Sequence, residues 1–297
     1  MTKRTSDRRW FASFLMAAVC AWPLASMNLE ASELRPIVPH PDYRHDRFDT
    51  EPKDIVRRFR AYTTSFDSDD DDNRDARADR WAIPEWVAYE MRRAPSDLGS
   101  VPTVRPSPWI TDDALHDAGI APKDGSYRGS GYSRGHMCMK SHAWRLGADA
   151  DWNTHTVLNA CPQLQAMNNG VWKGLENKTA AWADRYGVVW IICGPIIFGS
   201  TPSKWISDPG EIPVAVPDGF FKIVVKDSDI EAVLDVLAFI LPMEGMGNYS
   251  SSNHELTPYL TSVDIIEALT GLNFLTSLPD GTEEEVESVV HAQLWPE

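Results

Sequence analysis

Apolar residues recur at two different spacings along this chain, and the boundary between them limits what it can fold into. Residues 168–186 place Val171, Trp172, Leu175, Thr179 and Trp182 on one side, the 3.6-residue period of an amphipathic helix. Upstream, residues 86–91 alternate like a strand, and downstream, residues 188–192, 220–226 and 233–241 are strand-length apolar runs, the first ended by Gly194-Pro195. A shorter helical stretch, residues 262–270, is halted by Gly271. Strands, one central helix, more strands and a closing helix predict an α+β domain. With 43% hydrophobic residues in 297, the chain has the material for one large core. No internal repeat is visible.

The folded unit, residues 81–297, is expected to start near Trp81. Residues 33–80 are polar, rich in Pro, Asp and Arg and without clear periodicity, so they read as a loosely attached, partly disordered arm. Residues 1–32 read as a signal peptide. Lys3, Arg4, Arg8 and Arg9 precede an apolar run over residues 10–25, and small residues follow at Ala25-Ser26 and Ala31-Ser32. Arg8-Arg9-Trp10-Phe11 has the paired-arginine look of a signal for export of folded proteins. The run is short for a membrane span, so the sequence predicts a secreted or periplasmic chain with no membrane contact after cleavage. An uncleaved anchor is the alternative.

Charge and cysteine content narrow the chemistry. A net charge of −15 is the wrong global sign for a protein that grips polyphosphate through its surface. The excess is local, however: five of the six residues 67–72 are Asp, and Glu283-Glu284-Glu285 adds three acids near the C-terminus. Residues 104–186 hold nine Lys/Arg against eight Asp/Glu, a near-neutral centre that a bound cation would make locally positive. The Asp run lacks the glycine and distal glutamate of a calcium-binding hand and reads as a solvated loop. Removal of Cys20 with the signal leaves Cys138, Cys161 and Cys193. In an oxidising compartment that predicts one disulfide, with Cys138–Cys161 favoured, and one buried thiol. No cysteine pair has the close spacing of a zinc site, and no paired-histidine helix motif is present.

Two segments carry the chemistry: Gly131-Tyr132-Ser133-Arg134-Gly135-His136-Met137, and Leu158-Asn159-Ala160-Cys161-Pro162-Gln163 leading into Met167-Asn168-Asn169-Gly170-Val171-Trp172-Lys173-Gly174-Leu175-Glu176. Here the chain resembles the DNA/RNA non-specific endonuclease family, and the likeness runs in the same order over roughly residues 81–290. The resemblance implies a mixed or antiparallel sheet with a ββα-metal finger as active site. It implies cleavage of DNA and RNA to oligonucleotides with 5′-phosphate ends, with Mg2+ as cofactor and Mn2+ as an alternative.

Residue by residue, the resemblance makes His136 the general base, a task a neutral imidazole performs near pH 7. It makes Asn168 the metal ligand, and one side-chain oxygen suffices for an ion that keeps most of its waters; helix capping is the ordinary alternative. Glu176, eight residues on, would hold metal-bound water. Asn159 would orient the scissile phosphate or a metal water, although turn formation before Pro162 explains it nearly as well. Arg105 would grip the substrate phosphate through its guanidinium. Arg134 is expected to face away from His136 and reads as structural, salt-bridged beneath the site. Most of the tryptophans, including Trp172 and Trp190, are read as core, and none is assigned to substrate.

The departures from the family pattern are as informative. Ser133 stands where an acidic residue usually precedes Arg-Gly-His, Met139 replaces a proline, and Ala180 replaces a second phosphate-binding arginine that Lys178 or Arg185 would have to supply. Two other readings therefore stay open: a nucleic-acid-binding paralogue with faded catalysis, and a secreted phosphodiesterase for a non-nucleic substrate. The proposed DNA and RNA contacts are to phosphate alone, since no recognition helix or zinc module is visible. Whether the chain forms a homodimer or meets an inhibitor protein is left open.

Overall fold

A computed structural model describes residues 33–35, 37–66, 81–199, 201–228, 233–244 and 255–297. The signal over residues 1–32 and the aspartate run over residues 67–72 lie outside the described residues.

A seven-stranded sheet forms the centre. Its strands are β1 (Ile55–Arg58), β2 (Thr63–Phe66), β3 (Pro84–Arg92), β6 (Val188–Ile196), β7 (Gly219–Asp227), β8 (Leu234–Pro242) and β9 (Leu260–Thr261), whereas β4 (Tyr132–His136) and β5 (Ala160–Leu164) pair only with each other. The order across the large sheet is β9-β8-β7-β6-β3-β2-β1, and every neighbouring pair is antiparallel. Three helices concern the argument: α1 (Lys173–Tyr186), α2 (Val263–Thr270) and α3 (Asp280–Glu287). The α+β class read from the sequence stands.

Both faces of this sheet are covered, which is why its strands read as near-continuous apolar runs. On β3, Val87, Tyr89 and Met91 join the core shared with Leu175 and Trp182 of α1, while Trp86 and Ala88 join the core that holds Val263 and Ile266 of α2. On β7, Phe220 and Val224 face the first core, and Phe221, Ile223 and Val225 the second. Ser262 caps α2 by accepting from the Ile265 N–H at 3.3 Å, and Gly271 ends it at φ 72°, a left-handed conformation that glycine adopts without strain.

The arm expected over residues 33–80 is corrected. Residues 55–66 form the edge hairpin of the large sheet, and Phe59, Tyr62 and Phe66 are fully buried. Alternation was hidden there because the burying residues sit partly in the turn, with Phe59 stacked on Tyr62 at 4.5 Å. The strand expected to end at Gly194-Pro195 continues to Ile196, since a Cβ at Gly194 would lie 2.4 Å from the Glu85 carbonyl and glycine is what lets the strands pass. The disulfide is corrected too: Cys138, Cys161 and Cys193 form no disulfide, and all three are buried. The Cys138 thiol approaches the Ala61 carbonyl and the Cys193 thiol the Met137 carbonyl.

Candidate active site

The β4–β5 hairpin and the helix that follows it build a cleft. Gly135 faces Cys161 across the hairpin, and a Cβ there would lie 2.0 Å from the Gln163 Oε1, so residue 135 must be glycine for the two strands to close. His136 ends β4, and its carbonyl accepts from the Trp172 indole N–H at 3.1 Å. The imidazole packs 4.8 Å from the Trp109 ring and 5.2 Å from the His155 ring, and its Nε2 is buried without a hydrogen-bond partner. Burial, reinforced by His155, Arg105 and Lys140, holds its pKa well below 6.5. The ring is therefore neutral, and a competent base, at neutral pH.

The opposite wall is helical from residue 165 onward, with a π turn over Asn168–Trp172 in which Gly170 departs from helical geometry (φ −95°, ψ −113°). Asn168 itself is helical and its side chain caps nothing, which removes the capping explanation. In an ideal α-helix, residues eight apart are about 80° out of line. The wider π turn, which takes more residues per turn, offsets part of that angle, and Asn168, Glu176 and His136 all line one cleft of about 490 Å³.

Glu176 is 4% exposed, and burial pushes its pKa up to about 7, against the pull of Lys222, Trp172 and Lys173. Lys222, on β7, is fully buried with its Nζ 4.0 Å over the Trp172 ring and without a hydrogen-bond partner. An ammonium in the core is costly unless offset. The Trp172 face and the nearby Glu176 carboxylate supply that offset.

Four cations line the cleft, Arg105, Arg134, Lys140 and Lys173, against Glu176 as its one carboxylate. Two are tied down: Arg134 lines the cleft beside His136 instead of facing away from it, since residues two apart on a strand share a face, and pairs with Asp124, while Lys140 pairs with Asp151 at 3.0 Å. Arg105 and Lys173 make no hydrogen bond or ion pair among the described residues and are free to take phosphate. The cleft is thus locally basic in an acidic chain.

Several expectations change. Asn159 is fully buried and does not line the cleft; its Oδ1 accepts from the Cys138 N–H at 2.8 Å, and its Nδ2 donates to the Cys138 and Thr154 carbonyls at 2.9 and 3.0 Å. It braces the strand end that carries His136, with its carboxamide bonded to backbone groups. Lys178 and Arg185 do not replace the cation missing at Ala180, because both are bound to Glu297. The Ser133 hydroxyl is held by Gln165. Trp109 lines the cleft wall. His155, Lys140 and Lys173 were missed: the first two flank the motifs and Lys173 lies within one, but no spacing rule marks them.

Comparison with known proteins decides the relationship. Residues 47–281 match the family described as DNA/RNA non-specific endonuclease. The chain belongs to that family. Its members similar to this chain include the mitochondrial nuclease 1 of Schizosaccharomyces pombe, 30% identical over 201 residues that cover 64% of this chain and 60% of the relative. Mitochondrial endonuclease G of Bos taurus is 26% identical over 199 residues, covering 65% and 63%. The chain thus spans less than two thirds of either relative's length. Among solved structures, the EndoG/EndoGI complex aligns with a TM-score of 0.64 at 22% identity over 80% of this chain and 92% of that one, a likeness of fold. The finger of the fold is the β4–β5 hairpin with α1, and the start of the family match at residue 47 agrees with the buried edge hairpin.

Proposed function

We propose that this chain is an exported, divalent-metal-dependent endonuclease that hydrolyses DNA and RNA phosphodiester bonds without sequence preference, leaving 5′-phosphate ends. The observation that carries this reading is the convergence of a neutral His136, Asn168 and Glu176 in a basic cleft. The names of the relatives, nucleases in every case cited, support it.

The donor set suits magnesium or manganese. A carboxamide oxygen on Asn168 and a carboxylate on Glu176 are hard oxygen donors on one wall, and Mg2+ takes few protein ligands and keeps its waters. Asn168 would hold the ion and Glu176 its water. When bound, the ion supplies charge neutralisation at the phosphorane and the departing oxygen. His136 takes the proton from the attacking water. Arg105 and Lys173 bind the non-bridging phosphate oxygens, Arg105 through a guanidinium fork. Lys140 and Arg134, fixed by their aspartates, add positive field without moving. Contacts confined to phosphate give no base readout, hence slight sequence preference.

Export rests on residues 1–32, since the relatives' names place those proteins in mitochondria. An inhibitor protein as partner is supported by the solved EndoG/EndoGI complex.

The test is degradation of supercoiled plasmid, total RNA and an aryl phosphodiester by the purified chain, with MgCl2 and with EDTA. Loss of plasmid and RNA with magnesium only is expected. Turnover of the aryl ester with both nucleic acids intact would overturn the substrate class, and nucleic-acid binding without cleavage in any divalent metal would establish the faded paralogue.

A further inference from the structure

A second concentration of oxygen donors lies on the far face of the sheet. Asp264 and Glu267 stand one turn apart on α2, Glu287 ends α3, and one carboxylate oxygen of each lies within 4.8 Å of the other two. Glu287 is 5% exposed, and its Oε1 is buried without a hydrogen-bond partner. Glu267 is fixed in place because its Oε1 accepts the Phe274 N–H at 2.8 Å.

Among the described residues, no basic side chain pairs with this group. The charges acting on Glu287 are those of Glu267, Glu283, Asp264 and Glu284, and those on Glu267 are Asp264 and Glu283. Burial and these neighbours push Glu287 up to about 8. Carboxylates so placed require either a shared proton or a cation.

Geometry favours the cation. Calcium takes oxygen ligands at roughly 2.3–2.6 Å, so ligands on opposite sides of one ion are about 5 Å apart at most, and the observed limit of 4.8 Å fits one coordination sphere. Magnesium demands a smaller, near-octahedral set and sheds water reluctantly, while an all-carboxylate site without imidazole or thiolate does not select a transition metal.

We propose that Asp264, Glu267 and Glu287 bind a calcium ion that ties α3 to α2, separate from the cleft on the opposite face of the sheet. The ion completes the second core, where Val263, Ile266 and Val286 pack, and its role is stability, not catalysis.

The experiment is thermal unfolding of the full chain in EDTA and in 1 mM CaCl2, for wild type, Asp264→Asn, Glu287→Gln and Asn168→Ala, with calcium titration calorimetry alongside. Calcium should raise the wild-type Tm by roughly 5–10 °C. The shift should persist in Asn168→Ala and be lost in both carboxylate variants, which keep wild-type plasmid cleavage. In EDTA, Glu287→Gln should melt at or above wild type, because repulsion is relieved. Asp264 is exposed, so Asp264→Asn reports even if Glu287→Gln fails to fold. An equal shift in wild type and Asp264→Asn, loss of the shift in Asn168→Ala, or no wild-type shift at all would overturn the proposal; the last outcome leaves a shared proton as the device.

Discussion

The indole N–H of Trp172 donates to the carbonyl oxygen of His136 at 3.1 Å, joining the helix that carries Asn168 and Glu176 to the strand that carries the base. The bond fixes the width of the cleft at its reacting end. Trp172→Phe keeps most of the buried ring but removes the donor, so the Tm should fall modestly while cleavage drops roughly 10- to 100-fold, the usual cost of misplacing reacting groups by about an ångström. Parallel measurement of Tm and of plasmid cleavage at saturating magnesium checks it, and unchanged cleavage would show that the bond sets no geometry.

Asn159→Ala should act through the fold. It strands the Cys138 N–H and two carbonyls in a dry interior, at about 1–3 kcal/mol for each unsatisfied group. Urea unfolding should show a large loss of stability, and the activity that survives below the new Tm should have a metal dependence like that of wild type. A stable protein with a weakened metal requirement would return Asn159 to the reacting groups.

Gly135→Ala should disrupt the hairpin, since the added Cβ would fall 2.0 Å from the Gln163 Oε1. Gln163→Ala removes the obstructing side chain, so the double variant should be more stable than Gly135→Ala alone. A double-mutant cycle in chemical denaturation reads the coupling. Additive losses would mean that backbone conformation, not contact, demands glycine.

Acid should weaken the fold through its buried histidines. His155 is lowered to about 4, mainly by burial, and unfolded histidine titrates near 6.5. Between those values the unfolded chain binds a proton that the folded chain refuses, so this stability is full above about 6.5 and lost as pH falls towards 4. His155→Gln removes that dependence. Relative to wild type, the variant should gain stability on going from pH 7 to pH 4.5, measured as the urea midpoint; a pH-independent difference would mean that folding does not shift the His155 pKa.

Strand-length apolar runs gave away β6, β7 and β8, because a sheet covered on both faces leaves little to alternation, and alternation gave away β3. The edge hairpin escaped notice since its buried rings, Phe59 and Tyr62, straddle a turn within a polar stretch. His136, Asn168, Glu176 and Arg105 line one cleft, as the resemblance implied, but the sequence could not show that Asn159 spends its carboxamide on backbone groups. Lys222 was equally hidden: a lysine in a strand pattern reads as solvent-facing, and only the packing of Trp172 and Glu176 around it explains its burial. The three cysteines sit on the motif segments and the central sheet, yet burial without pairing depends on tertiary distances that counting cannot supply.

The central claim is that His136 is the base of a metal-dependent cleavage reaction. It is tested most directly by His136→Ala beside wild type, with plasmid cleavage in MgCl2 and DNA affinity in CaCl2 measured on the same preparations. Cleavage reduced at least 10²- to 10⁴-fold, the range for removal of a general base, with affinity unchanged is the expected result. Cleavage within tenfold of wild type would contradict it and leave the basic cleft without its assigned chemistry.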